Sequence, residues 1–399
     1  MARIVLAWEM GGEYGHISRL KTFGDAFKAR GHDVCYVLKD LSRAETMIGD
    51  EDRCYQAPHW VPTVTGLPPP TMCAETLIRF GYLESAGLTG LCRAWRNLYD
   101  LLAPDFLFCD FAPTALLAAR GTNIPTAVSD TGYGIPPARS PLAPYRWWLK
   151  NPPPPLAGAE ERVLECINTV TKNLGAPPYT GVHEVFRAAT TFLCTYAELD
   201  HYAEREPVRY WGTVANLDTG MPAPWPSGNG PRVFIYLRPD CANLNGIRKA
   251  LSATKARTVA FIPGIDEGTR KQLGSRKFVI VDRPLRIDAV RTQCDAAICH
   301  AGVGTTAALL AAGKPVLLLP THTEQAMIAM RVKQLGAGLV CDNDRPSAAI
   351  DEHIAALLND ASLRAQAKKF AQTYRNHTQD DTVAEIVAHC ETVLGAGSD

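Results

Sequence analysis

The sequence predicts two α/β domains, each a parallel sheet wound with helices, on three observations. A chain of 399 residues is longer than one hydrophobic core ordinarily supports, so two domains of about 200 residues each are expected. Short apolar runs alternate with helical stretches from the first residues into the last third, as in β-α-β units. A Pro- and Gly-rich break at 216–231, NLDTGMPAPWPSGNGP, parts one such series from the next and reads as an interdomain linker.

The first thirty-eight residues make one complete unit: strand 3–8, a Gly-rich loop at 11–15, a helix from about 17 to 30 stopped by Gly31, and strand 33–38. A second unit runs from strand 105–110 into a helix near 115–120 and strand 126–129. Residues 131–156, with Tyr133, Tyr145, Trp147, Trp148 and four consecutive prolines at 152–155, read as irregular connection. Such a surface is either a semi-rigid loop or the wall of a binding site for apolar or sugar rings. After the linker, strand-like runs recur at 233–237, 258–262, 278–281, 296–299 and 316–319, which predicts a second Rossmann-like sheet. The tail at 382–394 has the pattern of an amphipathic helix. The expected organisation is a first domain 1–215, linker 216–231, second domain 232–380 and terminal helix 381–399.

Charge excludes several classes of function. Forty-one basic residues balance 41 acidic ones without blocks of like sign, so neither nucleic acid nor an anionic membrane surface is an expected partner. No run reaches the ~18 apolar residues of a membrane span, and the first residues lack the cleavage site of a signal peptide. Twelve cysteines are scattered with no Cys-x-x-Cys pair, so neither zinc nor a disulfide framework is expected and a cytoplasmic location fits. Cys299 reads as a small buried residue at a strand end rather than a nucleophile.

Chemistry concentrates in His300-Ala301-Gly302-Val303-Gly304-Thr305-Thr306, between an apolar strand and an Ala-rich stretch. A strand ending in a Gly-rich turn that opens a helix aims backbone N–H groups and the helix dipole at one point, which suits phosphate. Gly302 and Gly304 permit close backbone approach, Thr305 and Thr306 add hydroxyls, and His300 adds a ring N–H. Gly313-Lys314-Pro315 closes that helix. The next strand ends at Pro320, so Glu324 and Gln325 leave its carboxyl end, where open α/β sheets hold ligands. An adjacent acid and amide suit sugar hydroxyls.

The succession His-x-Gly-x-Gly-Thr, Gly-x-Pro, Pro-x-x-x-Glu-Gln and Gly-x-Gly over 300–338 resembles the donor-binding segment of the GT-B nucleotide-sugar glycosyltransferases, the UDP-glycosyltransferase and antibiotic-glycosyltransferase superfamily of family 1 type. Four spaced elements in order are more specific than one Gly-rich loop. The resemblance implies a GT-B architecture, two Rossmann-like parallel-sheet domains facing across a cleft, with the terminal helix packing back on the N-terminal domain. It also implies transfer of a sugar from a UDP- or dTDP-sugar to a hydroxyl of a small-molecule or glycan acceptor, with inversion and with neither metal nor cofactor.

Glycosyl transfer needs a base for the acceptor proton and stabilisation of the leaving diphosphate. His300 and the Thr305-Thr306 turn answer the second need. His16, after the loop Glu9-Met10-Gly11-Gly12-Glu13-Tyr14-Gly15, resembles the family's acceptor-activating histidine, and imidazoles titrate near neutrality. Asp110, ending a strand of the same domain, is the candidate partner that would fix its tautomer. It could equally cap a helix near Pro113. Glu13 and Asp130 are alternative acids. Gly12, Glu13, Tyr133 and Trp147 are candidate acceptor contacts, and loops 57–71 and 131–156 would set acceptor identity.

The match departs from the family in places. Where many members carry a ribose-binding glutamate eight positions after the histidine, this chain has Ala308, which makes a deoxyribose donor as credible as UDP. The plant-type base-binding stretch reads Asp282-Arg283-Pro284-Leu285, leaving Arg283 or its backbone to meet the base. Arg238, where a Gly-Ser turn is usual, could pair with phosphate or form a surface ion pair. Two rivals share the architecture: a nucleotide-sugar epimerase or hydrolase, and a non-catalytic nucleotide-sugar sensor.

Overall fold

The computed structural model describes every residue except Glu13, Thr46, Asn216, Leu217 and 397–399. The chain divides into two compact units. The first gathers Met1–Thr195, Tyr202–Ala215 and Thr378–Asp399, and the second Tyr196–His201 and Asn216–His377.

In the first unit β1 (Arg3–Trp8), β2 (Asp33–Leu38), β3 (Arg53–Gln56), β4 (Phe106–Asp110), β5 (Thr126–Asp130) and β6 (Thr190–Leu193) form one sheet in the order β3-β2-β1-β4-β5-β6. All its pairs are parallel. The second unit repeats the plan with β7 (Arg232–Tyr236), β8 (Arg257–Phe261), β9 (Phe278–Val281), β10 (Ala296–Cys299), β11 (Val316–Leu318) and β12 (Gly338–Val340), ordered β12-β11-β10-β7-β8-β9 and again parallel. The α/β class read from the sequence is the observed one, that of two Rossmann-like sheets. β3, β6 and β12 were not expected from the pattern, because three or four residues, partly exposed, display no period.

In each sheet the chain winds from its first strand to one edge, then returns to lay its fourth strand on the other side of the first. The connections leave these two strands in opposite directions, which opens a crevice at their carboxyl ends. The first crevice lies between β1 and β4, the second between β7 and β10.

The strands are apolar on both faces because helices cover both. On one side of the first sheet Ile4, Leu6, Trp8, Phe106 and Phe108 pack against Phe23 and Phe27 of helix Gly15–Ala29. Helix Gln379–Ala396 packs on that same helix and adds Val383, Ile386, Val387 and Cys390 to this core. Its rim is charged, with Glu391 bound by Arg30 and His32 and Glu385 by Arg209. Residues 196–201 lie in the stretch assigned from sequence to the first domain but pack in the second unit, where Tyr196 meets Phe370 edge-on and Tyr374 at a tilt and the Tyr374 hydroxyl donates to Glu198.

Ile386 is fully buried in the first unit, so Ile386→Ala is expected to lower stability by about 2–4 kcal/mol. Urea unfolding of the variant and wild type measures the difference.

Candidate functional site

The first crevice is built by register. Trp8 and Asp110 pair at the ends of β1 and β4, and the two-residue period puts Asp110 on the same face as Phe106 and Phe108, toward helix Gly15–Ala29. There the first two turns of that helix present His16 and Arg19, three residues apart and therefore on one side. His16 Nδ1 lies 2.9 Å from Asp110 Oδ1, and Arg19 donates to Asp110 Oδ2 at 2.8 Å. Asp110 has no exposed side-chain surface and His16 retains 17%. With Nδ1–H given to the carboxylate, the assigned tautomer leaves the Nε2 lone pair outward, as a base requires. Asp110 is not a helix cap: the N-cap of helix Pro113–Ala119 is Ala112.

That capping falls to Glu9, on the opposite face of the first sheet. Its carboxyl accepts from the backbone N–H of Thr114 at 2.9 Å and of Ala115 at 3.3 Å, and from the Thr114 hydroxyl. Burial pushes Glu9 up to about 7 despite these bonds and the nearby Lys39 ammonium. Asp130, at the end of β5, accepts from Gly132 and Gly134 N–H at 2.7 and 2.9 Å and so shapes the start of the irregular segment. Burial raises its carboxyl as well.

Two features keep the His16 ring in place. Trp8 stacks on it at 5.4 Å between centroids and Phe111 lies 6.2 Å away. A Cβ on Gly11 would fall 2.5 Å from Nε2, and Gly11 sits at φ +82, so glycine alone leaves this nitrogen open. Phe111 itself holds a left-handed φ of 45 and receives the Met10 N–H on its carbonyl. Tyr133 packs edge-on against Phe111 at 6.1 Å and stacks on Tyr145, which extends the aromatic surface from His16. Gly12 is exposed in the same loop. Trp147 packs edge-on against Trp148 at 5.4 Å. Glu13 lies outside the described residues.

The second crevice holds His300 just beyond β10. Its ring meets Tyr236 edge-on at 4.5 Å, and Nδ1 lies 3.3 Å from the Tyr236 carbonyl oxygen. If Nδ1–H serves that carbonyl, Nε2 can donate to an anion only as imidazolium, a form that an adjacent phosphate favours. Ala301 adopts a left-handed φ of 64 and Gly302 caps helix Val303–Ala311. A Cβ on Gly302 would press within 3.2 Å of His300 Nε2. Gly304 and Thr305 are partly exposed on the first turn. Thr306 is fully buried, with its hydroxyl 3.8 Å from the Cys299 sulfur.

Gln325 has a structural task, since its Oε1 accepts from both N–H and hydroxyl of Thr321 at 2.9 Å and closes the turn after β11. Glu324 is about one third exposed, 3.9 Å from the buried His201 Nε2. Arg238 follows β7 beside this crevice and lies 3.8 Å from Asp240. Arg283 is exposed after β9, at the sheet edge two strands beyond β7. Arg19, Glu9, Trp8 and His201 were not singled out from the sequence. For Arg19 the signal was present in the i, i+3 spacing from His16, but it needed the position of Asp110 to be read.

Residues 257–393 match the C-terminal domain family of the erythromycin biosynthesis protein CIII-like proteins. Zeaxanthin glucosyltransferase of Pantoea ananas is 22% identical across 94% of this chain and 93% of its own length. Other curated sugar transferases match locally, over 30% and 18% of this chain, and the matched stretches are only 7% and 6% of those longer proteins. Among solved structures, the calicheamicin glycosyltransferase CalG4 aligns with a TM-score of 0.73 at 22% identity, covering 99% of this chain and 98% of its own. The glycosyltransferase VinC in complex with dTDP aligns at 0.67 and 15%, covering 99% and 100%. No helix among the described residues is long and apolar enough to cross a membrane.

The position of Glu9 has a consequence for stability. Between about pH 4.5 and about 7 its carboxyl is protonated in the fold and ionised in the unfolded chain. The native state then binds the extra proton, and stability falls as pH rises through that window. Glu9→Gln is expected to remove this fall, gaining up to about 3 kcal/mol relative to wild type between the two ends of the window. Urea unfolding of both proteins near pH 5 and pH 8 reads it, and an unchanged difference would refute the assignment.

Proposed function

We propose that the chain is a GT-B glycosyltransferase of family 1 type that transfers a sugar from a dTDP- or UDP-sugar to a hydroxyl of a small-molecule or glycan acceptor, with inversion and without a metal ion. The family match over residues 257–393 and the fold shared with solved sugar transferases support this reading. The observation that carries this reading is the His16–Asp110 pair at 2.9 Å, set at a strand crossover with Nε2 left open.

In this scheme His16 Nε2 takes the proton from the acceptor hydroxyl while its oxygen attacks the anomeric carbon from the side opposite the leaving group. The bond from that carbon to the diphosphate oxygen breaks, and its electron pair leaves with the nucleoside diphosphate. Asp110 stabilises the imidazolium as it forms. In the second unit His300, the N–H groups of the first turn of helix Val303–Ala311 and the Thr305 hydroxyl meet the charge growing on the leaving diphosphate. Arg238 adds a cation for a phosphate oxygen, and the Arg283 segment is the candidate contact for the base. Glu324 is the candidate for the sugar hydroxyls, with Gln325 holding the turn that carries it. Gly12, Glu13, Tyr133 and Trp147 are the proposed acceptor contacts. A cytoplasmic protein is the reading that its free cysteines favour.

A deoxyribose donor is favoured by Ala308, a buried methyl where a ribose-binding acid would stand. VinC, solved with dTDP, has the same fold.

Two measurements test the reading. Calorimetric titration of dTDP, UDP, GDP and ADP in the presence of EDTA is expected to give saturable binding of a thymidine or uridine nucleotide. His300→Ala is expected to weaken that binding at least tenfold, and binding to no nucleotide would sink the donor site. With an acceptor in hand, His16→Ala is expected to lower kcat by about 10²–10⁴-fold, and undiminished turnover would remove His16 as the base. Donor consumption without any acceptor would instead favour the hydrolase or epimerase reading.

A further inference from the structure

Asp110 is claimed at both oxygens. Oδ1 faces His16 Nδ1, and Oδ2 accepts from Arg19, whose side chain is itself only 7% exposed. A guanidinium is charged at every accessible pH, so this carboxylate has a permanent cation on one side and an imidazole on the other. Other charges surround the pair. Asp130 ends the adjacent strand β5, and its carboxyl feels Arg19, Asp110 and His16. Lys39, after β2, donates to the Gly11 carbonyl at 2.7 Å, and Glu9 sits at the end of β1. The buried Cys194 thiol, after β6, also feels Arg19. Among these, Arg19 is the cation bonded to the carboxylate that His16 depends on.

We propose that Arg19 is a positioning residue that sets the strength of the His16 base, by holding Asp110 ionised and turned toward Nδ1 while its own positive charge opposes premature protonation of the imidazole. The proposal rests on His16 being the base, but its central test needs no turnover. Without Arg19 the pair His16–Asp110 would carry an uncompensated buried negative charge, and binding a proton to the imidazole would relieve it. The ring would then be held protonated to higher pH and fail as a base near neutrality.

The test compares Arg19→Gln with Arg19→Lys in the full chain labelled with ¹⁵N-histidine, following the His16 ring by NMR against pH. Both substitutions keep a donor for Asp110 Oδ2, but only lysine keeps the charge. The glutamine variant is expected to titrate higher than wild type by about one pH unit or more, and the lysine variant within a few tenths. A glutamine variant that titrates with or below wild type overturns the proposal. Should the glutamine variant fail to fold, the lysine variant decides alone, and an upward move of a unit or more there overturns it. Once an acceptor is known, the acidic limb of the kcat profile is expected to follow the same order. If the titrations shift as expected while no transfer is found with any donor, the proposed function fails and only the electrostatic coupling of Arg19 to His16 stands.

Discussion

The first unit depends on solving one electrostatic problem, the complete burial of the Asp110 carboxylate at the end of β4. A lone charge there would cost several kcal/mol in lost hydration. Two charge-assisted hydrogen bonds, from His16 and Arg19, offset the cost. Both donors come from the first two turns of one helix, so the solution requires that helix Gly15–Ala29 begin within reach of the carboxyl end of β4. The Phe23 and Phe27 contacts with Phe108 hold the helix there.

The two units repeat this economy of placement. In each, the fourth strand lies beside the first, and a candidate site residue ends or follows it: Asp110 in one, His300 in the other. Each is followed by a residue that is not glycine yet holds a left-handed φ, Phe111 at 45 and Ala301 at 64. Such backbone costs on the order of 1–3 kcal/mol per residue and persists where the surroundings demand it. Here it turns the chain sharply off the strand and brings a ring or a helix N-terminus to the crevice. Phe111 then supports Tyr133 on one side and His16 on the other.

Several polar residues near the crevices are bonded into the scaffold. Thr306 is buried against Cys299, Gln325 closes its own turn on Thr321, and Glu9 caps the helix that follows β4 from the neighbouring strand. Each holds a segment beside a crevice in place: the turn of His300, the partly exposed Glu324 and the Asp110–Phe111 corner. Residue type and spacing identify such positions as special but do not say whether the polar atom points to a ligand or to the backbone.

The sequence by itself determined the α/β class, most of the strands and both crevice motifs. Continuous apolar runs, Gly-rich turns and caps are local signals, since each arises within a dozen residues of chain. It also brought His16 and Asp110 forward as partners, because parallel strands deliver their carboxyl ends to one edge. The tertiary structure alone decided which face of β4 carries Asp110, that Arg19 shares it, and that Glu9 rather than Asp110 satisfies helix Pro113–Ala119. It likewise decided that 196–201 packs in the second unit and 378–399 in the first. These are contacts between residues about a hundred or more positions apart, set by sheet register and by competition for burial. No local pattern records which distant groups will lose their water together.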